Sequence, residues 1–112
     1  MVLSNQLIKG VLKTIVLKVI NNYTRIHGYE IIKIVKQETL EIIQITEGAL
    51  YPVLHSLESE KYLESDVEYI GKRVRKYYTI NANGKKLLSQ KVNEIENFIN
   101  ALELILAIKK KT

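Results

Sequence analysis

The sequence predicts a mainly α-helical fold carrying one small β-hairpin, and three patterns within its 112 residues lead there. Apolar residues recur at three- and four-residue intervals in successive stretches, as in helices with one face buried. Between Leu63 and Ile80 the period changes to strict alternation on either side of Gly71, as in two paired strands. After Asn81 the apolar residues return at alternating spacings of four and three, the rhythm of a helix seam. A chain of this length holds one core and one accessory element.

Taken in order, a first helix is expected from about Asn5 to Tyr23, carrying Leu7, Ile8, Val11, Leu12, Ile15, Val16, Val19 and Ile20. It is apolar on more than one stripe, so a small core covers one side and the other side needs a second packing partner. His27 and Gly28 break the pattern. A shorter helix follows through Tyr29, Ile31, Ile32, Ile34 and Val35, ending near Thr39. The β-branched run Ile42, Ile43 and Ile45 predicts a short strand. Thr46 is a good N-cap, with Glu47 favourably placed in the first turn, for a third helix reaching about Glu60 and burying Leu50, Val53, Leu54 and Leu57. Pro52, one turn inside, predicts a tight, 3₁₀-like first turn.

In the hairpin, Leu63, Ser65, Val67 and Tyr69 alternate with Glu64, Asp66 and Glu68. The return strand, Arg73 to Ile80, puts Val74, Tyr78 and Ile80 on one face and Arg73, Arg75, Tyr77 and Thr79 on the other, so one of the two adjacent tyrosines belongs to the core. Asn81 is the expected N-cap of a last helix running from about Ala82 to Lys109. Leu88, Val92, Ile95, Ile99, Leu102 and Leu106 form its seam, which Phe98 and Ile105 widen. Such a helix has no neighbour of matching length in its own chain except the first helix, so a homodimer is expected. Leu7 and Val11 would share the dimer interface with those eight residues, and burying six seam side chains at ~1.5–3 kcal/mol each would dominate assembly. This is the order of a winged helix-turn-helix over residues 1–81, followed by a C-terminal dimerisation helix over residues 82–112, the two forming one structural unit.

Composition narrows the function. There is no cysteine, which removes disulfides, thiolate zinc sites and thiol nucleophiles and suits a cytoplasmic protein. Two distant histidines do not make a zinc site, and His27 beside Gly28 is expected to be a turn residue. No phosphate-cradling glycine loop or nucleophile elbow is present, so no enzyme activity, cofactor or metal is expected. Lys9, Lys13, Lys18 and Arg25 precede the first acid, Glu30, but lysines interrupt the apolar run and no small-residue cleavage site follows. The apolar run Asn97 to Ile108 contains Glu103 and is short of the ~20 residues a bilayer requires, so no membrane association is expected.

The net charge is +5 and its distribution is uneven. Residues 1–60 hold six positive and six negative charges, whereas residues 61–86 hold seven and three. Lys72, Arg73, Arg75 and Lys76 are uninterrupted by any acid and fit the phosphate backbone of double-stranded DNA. The other reading of the same residues is a solvated ladder, with Glu64, Asp66 and Glu68 paired across the hairpin to Arg73 and Arg75. Thr46, Tyr51 and His55 bring a cap and two exposed side chains to the third helix, where they can reach phosphates or base edges. Lys33 and Lys36 on the second helix complete the candidate DNA-binding set. The Lys109 to Lys111 tail reads as a solubilising end.

The stretches Gly28-Tyr29-Glu30-Ile31, Glu47-Gly48-Ala49-Leu50-Tyr51-Pro52-Val53-Leu54-His55, Leu57-Glu58 and Arg75-Lys76-Tyr77-Tyr78, followed by Gly84, resemble the PadR family of bacterial transcriptional regulators. The resemblance covers about Leu12 to Leu88, and its central alanine-leucine-tyrosine-proline run is specific. It implies a winged-helix homodimer, usually a repressor, dimerised through its C-terminal helix, and the single helix here is similar to the compact subgroup. It also strengthens Tyr51 as a DNA contact.

Four positions depart from the family pattern. Lys61 stands where a glycine commonly ends the recognition helix, Ser56 where a basic residue is frequent, Asn81 where threonine is frequent, and Val67 near a frequent tryptophan. Asn81 preserves capping, whereas Ser56 removes a DNA contact and the missing tryptophan removes indole stacking on a ligand. With Glu47, Glu58 and Glu60 the third helix is also acidic. Two readings follow. One is a regulator, in the main a repressor, binding an inverted repeat and released by a small apolar or aromatic effector. The alternative is a winged-helix protein-interaction or architectural module without sequence-specific DNA recognition.

Overall fold

A computed structural model describes residues 1–109, which form five helices and a three-stranded antiparallel sheet. The expected first helix is broken in two, α1 (Asn5–Lys9) and α2 (Leu12–Tyr23). Gly10 is a poor helix former, and at Val11, whose φ is stretched to −119°, the N–H donates to the Ile8 carbonyl at 2.9 Å, a tightened turn. Within α1, Ile8 is buried and Leu7 is exposed. Ser4 caps α1 by accepting from the Leu7 N–H at 3.2 Å.

After α2, Thr24 at φ 64° turns the chain into a two-residue strand, β1 (Ile26–His27). His27 then caps α3 (Gly28–Glu38), its Nδ1 accepting from the Glu30 N–H at 3.4 Å. The strand expected at Ile42 to Ile45 is absent, and the single short strand lies before α3. Two consecutive left-handed residues, Leu40 and Glu41, fold the chain back on α3. The Thr39 hydroxyl donates to the Val35 carbonyl at 2.7 Å and accepts from the Ile43 N–H at 3.0 Å, and the Ile42 carbonyl accepts from Leu3. Two of the three isoleucines are there for burial, a packing preference that β propensity reports indirectly: Ile45 enters the core and Ile43 packs against it, whereas Ile42 is exposed and contributes its backbone carbonyl.

Helix α4 (Glu47–Ser59) is α-helical from its first turn, contrary to the 3₁₀ geometry expected from Pro52. The Thr46 carbonyl accepts from the Leu50 N–H at 3.0 Å, and its hydroxyl accepts from the Ala49 N–H at 3.2 Å. The proline costs only the bond to the Gly48 carbonyl, in an exposed residue that water can serve. At the other end, Lys61 takes φ 66°. The Tyr62 N–H returns to the Leu57 carbonyl at 2.9 Å and the Lys61 N–H to Glu58 at 3.0 Å, the paired bonds of a Schellman cap, with lysine in the place that favours glycine.

The hairpin follows its sequence pattern closely. Strands β2 (Leu63–Ile70) and β3 (Arg73–Ile80) pair from Leu63↔Ile80 to Ile70↔Arg73, and Gly71 takes φ 61° in the turn. Strand β1 joins the other side of β3 through Ile26↔Tyr78 and His27↔Tyr77. Tyr78 is the core tyrosine and Tyr77 is half-buried on the opposite face. Only the base of the hairpin is covered; Val67, Tyr69, Ile70 and Val74 are exposed on the projecting wing. The core gathers Leu17, Ile20, Ile26, Ile31, Leu50, Leu54, Leu57 and Leu63, all fully buried, where α2, α3, α4 and the sheet meet.

Asn81 caps α5 (Ala82–Ile105), accepting from the Gly84 N–H at 2.8 Å. The helix stops before the expected Lys109 because Leu106 ends it and Ala107 turns left-handed at φ 54°, with the Ile108 N–H returning to Glu103 at 3.0 Å. Lys110 and Lys111 of the expected tail lie outside the described residues. Leu87 and Leu88 seat the first turns of α5 on the core. Beyond them the helix projects; its full length is ~36 Å at ~1.5 Å per residue, in a molecule whose long axis is 54 Å. Among the described residues, no helix is long and apolar enough to cross a membrane.

Candidate nucleic-acid interface

Helix α4 buries Leu50, Leu54 and Leu57, which leaves Glu47, Gly48, Tyr51, Pro52 and His55 facing outward. Tyr51 is 44% exposed yet anchored, because its ring lies over Gly28 at the start of α3. A Cβ at Gly28 would sit 3.0 Å from that ring, so these two residues need each other for steric reasons as well as any contact Tyr51 makes outward. His55, one turn further, is exposed. Thr46 is spent on the cap.

The acidity of α4 is largely neutralised within the chain. Glu58 takes Lys76 at 2.8 Å and the Ser65 hydroxyl, both from the hairpin. Lys76, then Ser65, hold the Glu58 carboxyl below its ordinary range, and Glu58 in turn raises Lys76. Glu60 accepts from Ser56 at 2.6 Å and from Lys13 at 3.3 Å, which lowers its pKa in the same order. Ser56, where a basic residue was frequent in the resembling family, is therefore turned onto Glu60.

On the hairpin, the alternative reading, a ladder between β2 acids and β3 arginines, does not form. Arg25, in the loop before β1, takes the acids: Nη2 lies 2.6 Å from Asp66 Oδ2, Nη1 lies 3.4 Å from Glu68, and the guanidinium stacks 3.8 Å above the Tyr77 ring. Arg25 holds Asp66 below its usual range, and Asp66, with Glu68, raises Arg25. His27 meets the Tyr77 ring edge-on at 5.6 Å between centroids and Glu30 at 2.9 Å. Among the described residues, no carboxylate forms an ion pair with Lys72, Arg73 or Arg75. Lys76 differs from these three, being held by Glu58 and lying 5.5 Å from the Tyr78 ring. Lys36 reaches Glu41 at 3.6 Å, and Lys33 lies 6.0 Å from the Tyr29 ring.

Arg25 is the residue that sequence reasoning missed. It counted there only as one of the basic residues ahead of Glu30, and nothing local in the sequence couples it to positions 66 and 68.

The residues expected at a dimer interface fall into two groups. Leu88 is consumed by the chain's own core, 6% exposed. Leu7, Val92, Phe98, Ile99, Ile105 and Leu106 are exposed, and Val11, Ile95 and Leu102 are half-buried. A groove of about 760 Å³ runs beside α1, lined by Ile8, Leu12, Ile45, Pro52 and Val53, with Lys9, Lys13 and Lys91 among its polar residues.

Comparison with known proteins agrees with this architecture. Residues 16–90 match the transcriptional regulator PadR-like family. A protein of Lysinibacillus sphaericus described as uncharacterized protein X is 37% identical, over 88% of this chain and 97% of its own. The structure of a transcriptional regulator from Clostridium thermocellum superposes with a TM-score of 0.80 at 31% identity, covering 97% of this chain and all of that one. Bacillus subtilis PadR, solved in complex with operator DNA, gives a TM-score of 0.67 at 25% identity over 73% of this chain, which spans 46% of its length. The matched family is one of transcriptional regulators and not of enzymes. With two thirds of its residues inside the family match and its winged helix shared with these structures, this chain belongs to the PadR-like family of transcriptional regulators.

Proposed function

We propose that the protein is a homodimeric repressor that binds double-stranded DNA at an inverted repeat, acting in the cytoplasm. The observation that carries this is the wing: Lys72, Arg73 and Arg75 are exposed and free of carboxylate partners among the described residues, while the nearby acids are occupied elsewhere. In the same reading, the exposed face of α4 with Tyr51 and His55 enters the major groove, the wing tracks the adjoining backbone, and Lys33 and Lys36 hold phosphates beside α3. The operator-bound Bacillus subtilis PadR, similar in fold, supports the same assignment.

Dimerisation supplies the second reading head. The distal half of α5 presents Phe98, Ile99, Ile105 and Leu106 to solvent, a contiguous apolar surface of the kind that marks an interface. The groove beside α1 is a fitting seat for that helix from a second copy, because Ile8, Leu12, Ile45, Pro52 and Val53 offer it apolar walls. Two recognition helices would then meet successive major grooves ~34 Å apart. A small apolar or aromatic effector would release DNA by binding one dimer shape more tightly than the other.

Selection of bound fragments from random duplex DNA tests the reading. An enriched palindrome with half-sites one helical turn apart is expected, and recovery of unbiased fragments would replace the repressor with an architectural role. In salt titrations, Arg73→Glu with Arg75→Glu should lower the dependence of log K on log salt by about 2, since each phosphate contact contributes ~0.9. An unchanged slope removes the wing from the interface.

A further inference from the structure

We infer that Arg25 is a positioning residue for DNA binding: it captures Asp66 and Glu68 so that Arg75 and Arg73 stay available to the phosphate backbone. The inference rests on the DNA-binding reading above and adds a residue from outside the reading head and outside the wing. Strand register makes the need for it plain. Glu68 stands directly opposite Arg75, and Asp66 and Glu68 share the face that carries Arg73 and Arg75. Opposite charges directly across an antiparallel pair attract. Left to itself, then, the hairpin would close Glu68 onto Arg75 and present a neutral ladder where a cationic strip is required.

The geometry shows the competition resolved the other way. Both carboxylates turn to one guanidinium, Asp66 at 2.6 Å and Glu68 at 3.4 Å, and arginine's planar fork can serve two acceptors at once. Tyr77, opposite Asp66, provides the platform that fixes the fork in place, with the ring 3.8 Å beneath it. His27 meets that ring edge-on, so the platform is itself held by β1. Glu58 performs the corresponding task on the other face of the hairpin, holding Ser65 and Lys76 against α4. The wing is thus clamped at its base from both sides, and its distal arginines carry no internal partner.

The test measures binding of a fluorescein-labelled 30-base-pair mixed-sequence duplex by anisotropy across salt, using full-length protein. Arg25→Gln should weaken binding about three- to tenfold and reduce the salt slope by about 0.9, the loss of one phosphate contact as Glu68 closes on Arg75. Adding Asp66→Asn and Glu68→Gln to that variant should restore affinity and slope to near the wild-type values, because the acids that captured Arg75 are gone. Arg25→Lys keeps the charge without the fork and should fall between. Hydrogen exchange of the β2 and β3 amides, with circular dichroism, confirms that each variant keeps the fold.

If Arg25→Gln binds like wild type, or if the triple variant stays as weak as Arg25→Gln alone, the capture role is wrong; the second result would make Arg25 a direct phosphate ligand. If Arg25→Gln does not fold, the triple variant and Arg25→Lys carry the comparison, and a triple variant that folds but binds weakly overturns the inference. Failure of the wild-type protein itself to bind the duplex at low salt sinks the DNA-binding reading, and the inference with it.

Discussion

Replacing Gly84 by alanine sets two well-defined effects against each other. Alanine is favoured over glycine inside a helix by ~1 kcal/mol, so propensity alone makes Gly84→Ala stabilising. Sterically, a Cβ at this position would lie 2.3 Å from the Tyr62 carbonyl oxygen and 2.6 Å from Ile80 Cγ1. The oxygen belongs to backbone, so it cannot swing aside as a side chain would. The start of α5 must withdraw by about an ångström, and overpacking of this kind costs ~1–3 kcal/mol. Withdrawal also strains the knot joining this helix to the end of α4. There the Asn81 N–H donates to Tyr62 O at 3.3 Å, Asn81 Nδ2 donates to Lys61 O at 2.7 Å, and the Gly84 N–H donates to the Asn81 side chain at 2.8 Å. Each such bond is worth ~1 kcal/mol net. The clash wins, and a net loss of about 2–3 kcal/mol corresponds to a fall in Tm of roughly 8–15 °C for a domain of this size. Differential scanning calorimetry at several protein concentrations separates this effect from any coupling to assembly. A Tm equal to or above the wild-type value would refute the steric argument and favour propensity.

Other consequences can be checked as directly. Lys61→Gly relieves a left-handed lysine worth ~1–2 kcal/mol at the expense of ~0.5–1 kcal/mol of unfolded-state entropy, so denaturation should show a gain of about 0.5–1 kcal/mol; a loss would mean that the lysine side chain contributes something unaccounted for. Phe98→Asp with Leu102→Asp should halve the sedimenting mass while far-UV dichroism of the folded head persists, and an intact dimer would rule out the α5 seam. The Glu58 carboxyl is lowered in the folded state, so its clamp on the wing is complete above the ordinary value of 4.5 and is lost as pH falls through the lower folded value. Asp66, lowered beneath its ordinary 3.8 by Arg25, behaves in the same sense. Protection factors at the hairpin base should therefore drop on acidification below about pH 4.5, and Glu58→Gln should remove most of that dependence; a wing indifferent to acid in the wild-type protein would contradict the clamp.

What the sequence revealed and what it hid divide along one physical line. Thr46 and Asn81 were legible as caps, and β2 and β3 as strands, because capping and alternation are properties of neighbouring residues. The left-handed exit at Lys61 was legible as a departure from a glycine position. Strand β1 was hidden because two residues have no period, and its existence depends on β3, some fifty positions away. The run Ile42 to Ile45 misled because two of its β-branched side chains, Ile43 and Ile45, serve the core from a turn. The wing cations were visible as a cluster. Their freedom from the β2 acids was not, since it depends on Arg25, some forty positions away, and charge sequence alone cannot choose between two cations competing for one carboxylate.

Helix α5 has a consequence for how firmly the molecule holds itself. Only its opening turns, around Leu87 and Leu88, rest on the core, while the half beyond Ile95 carries exposed leucine, isoleucine and phenylalanine. A helical stretch that short is barely self-supporting in water. Amide protection should therefore decline stepwise along it in a solitary subunit and level out once something lies against it, which turns the tip of the helix into a built-in gauge of occupancy.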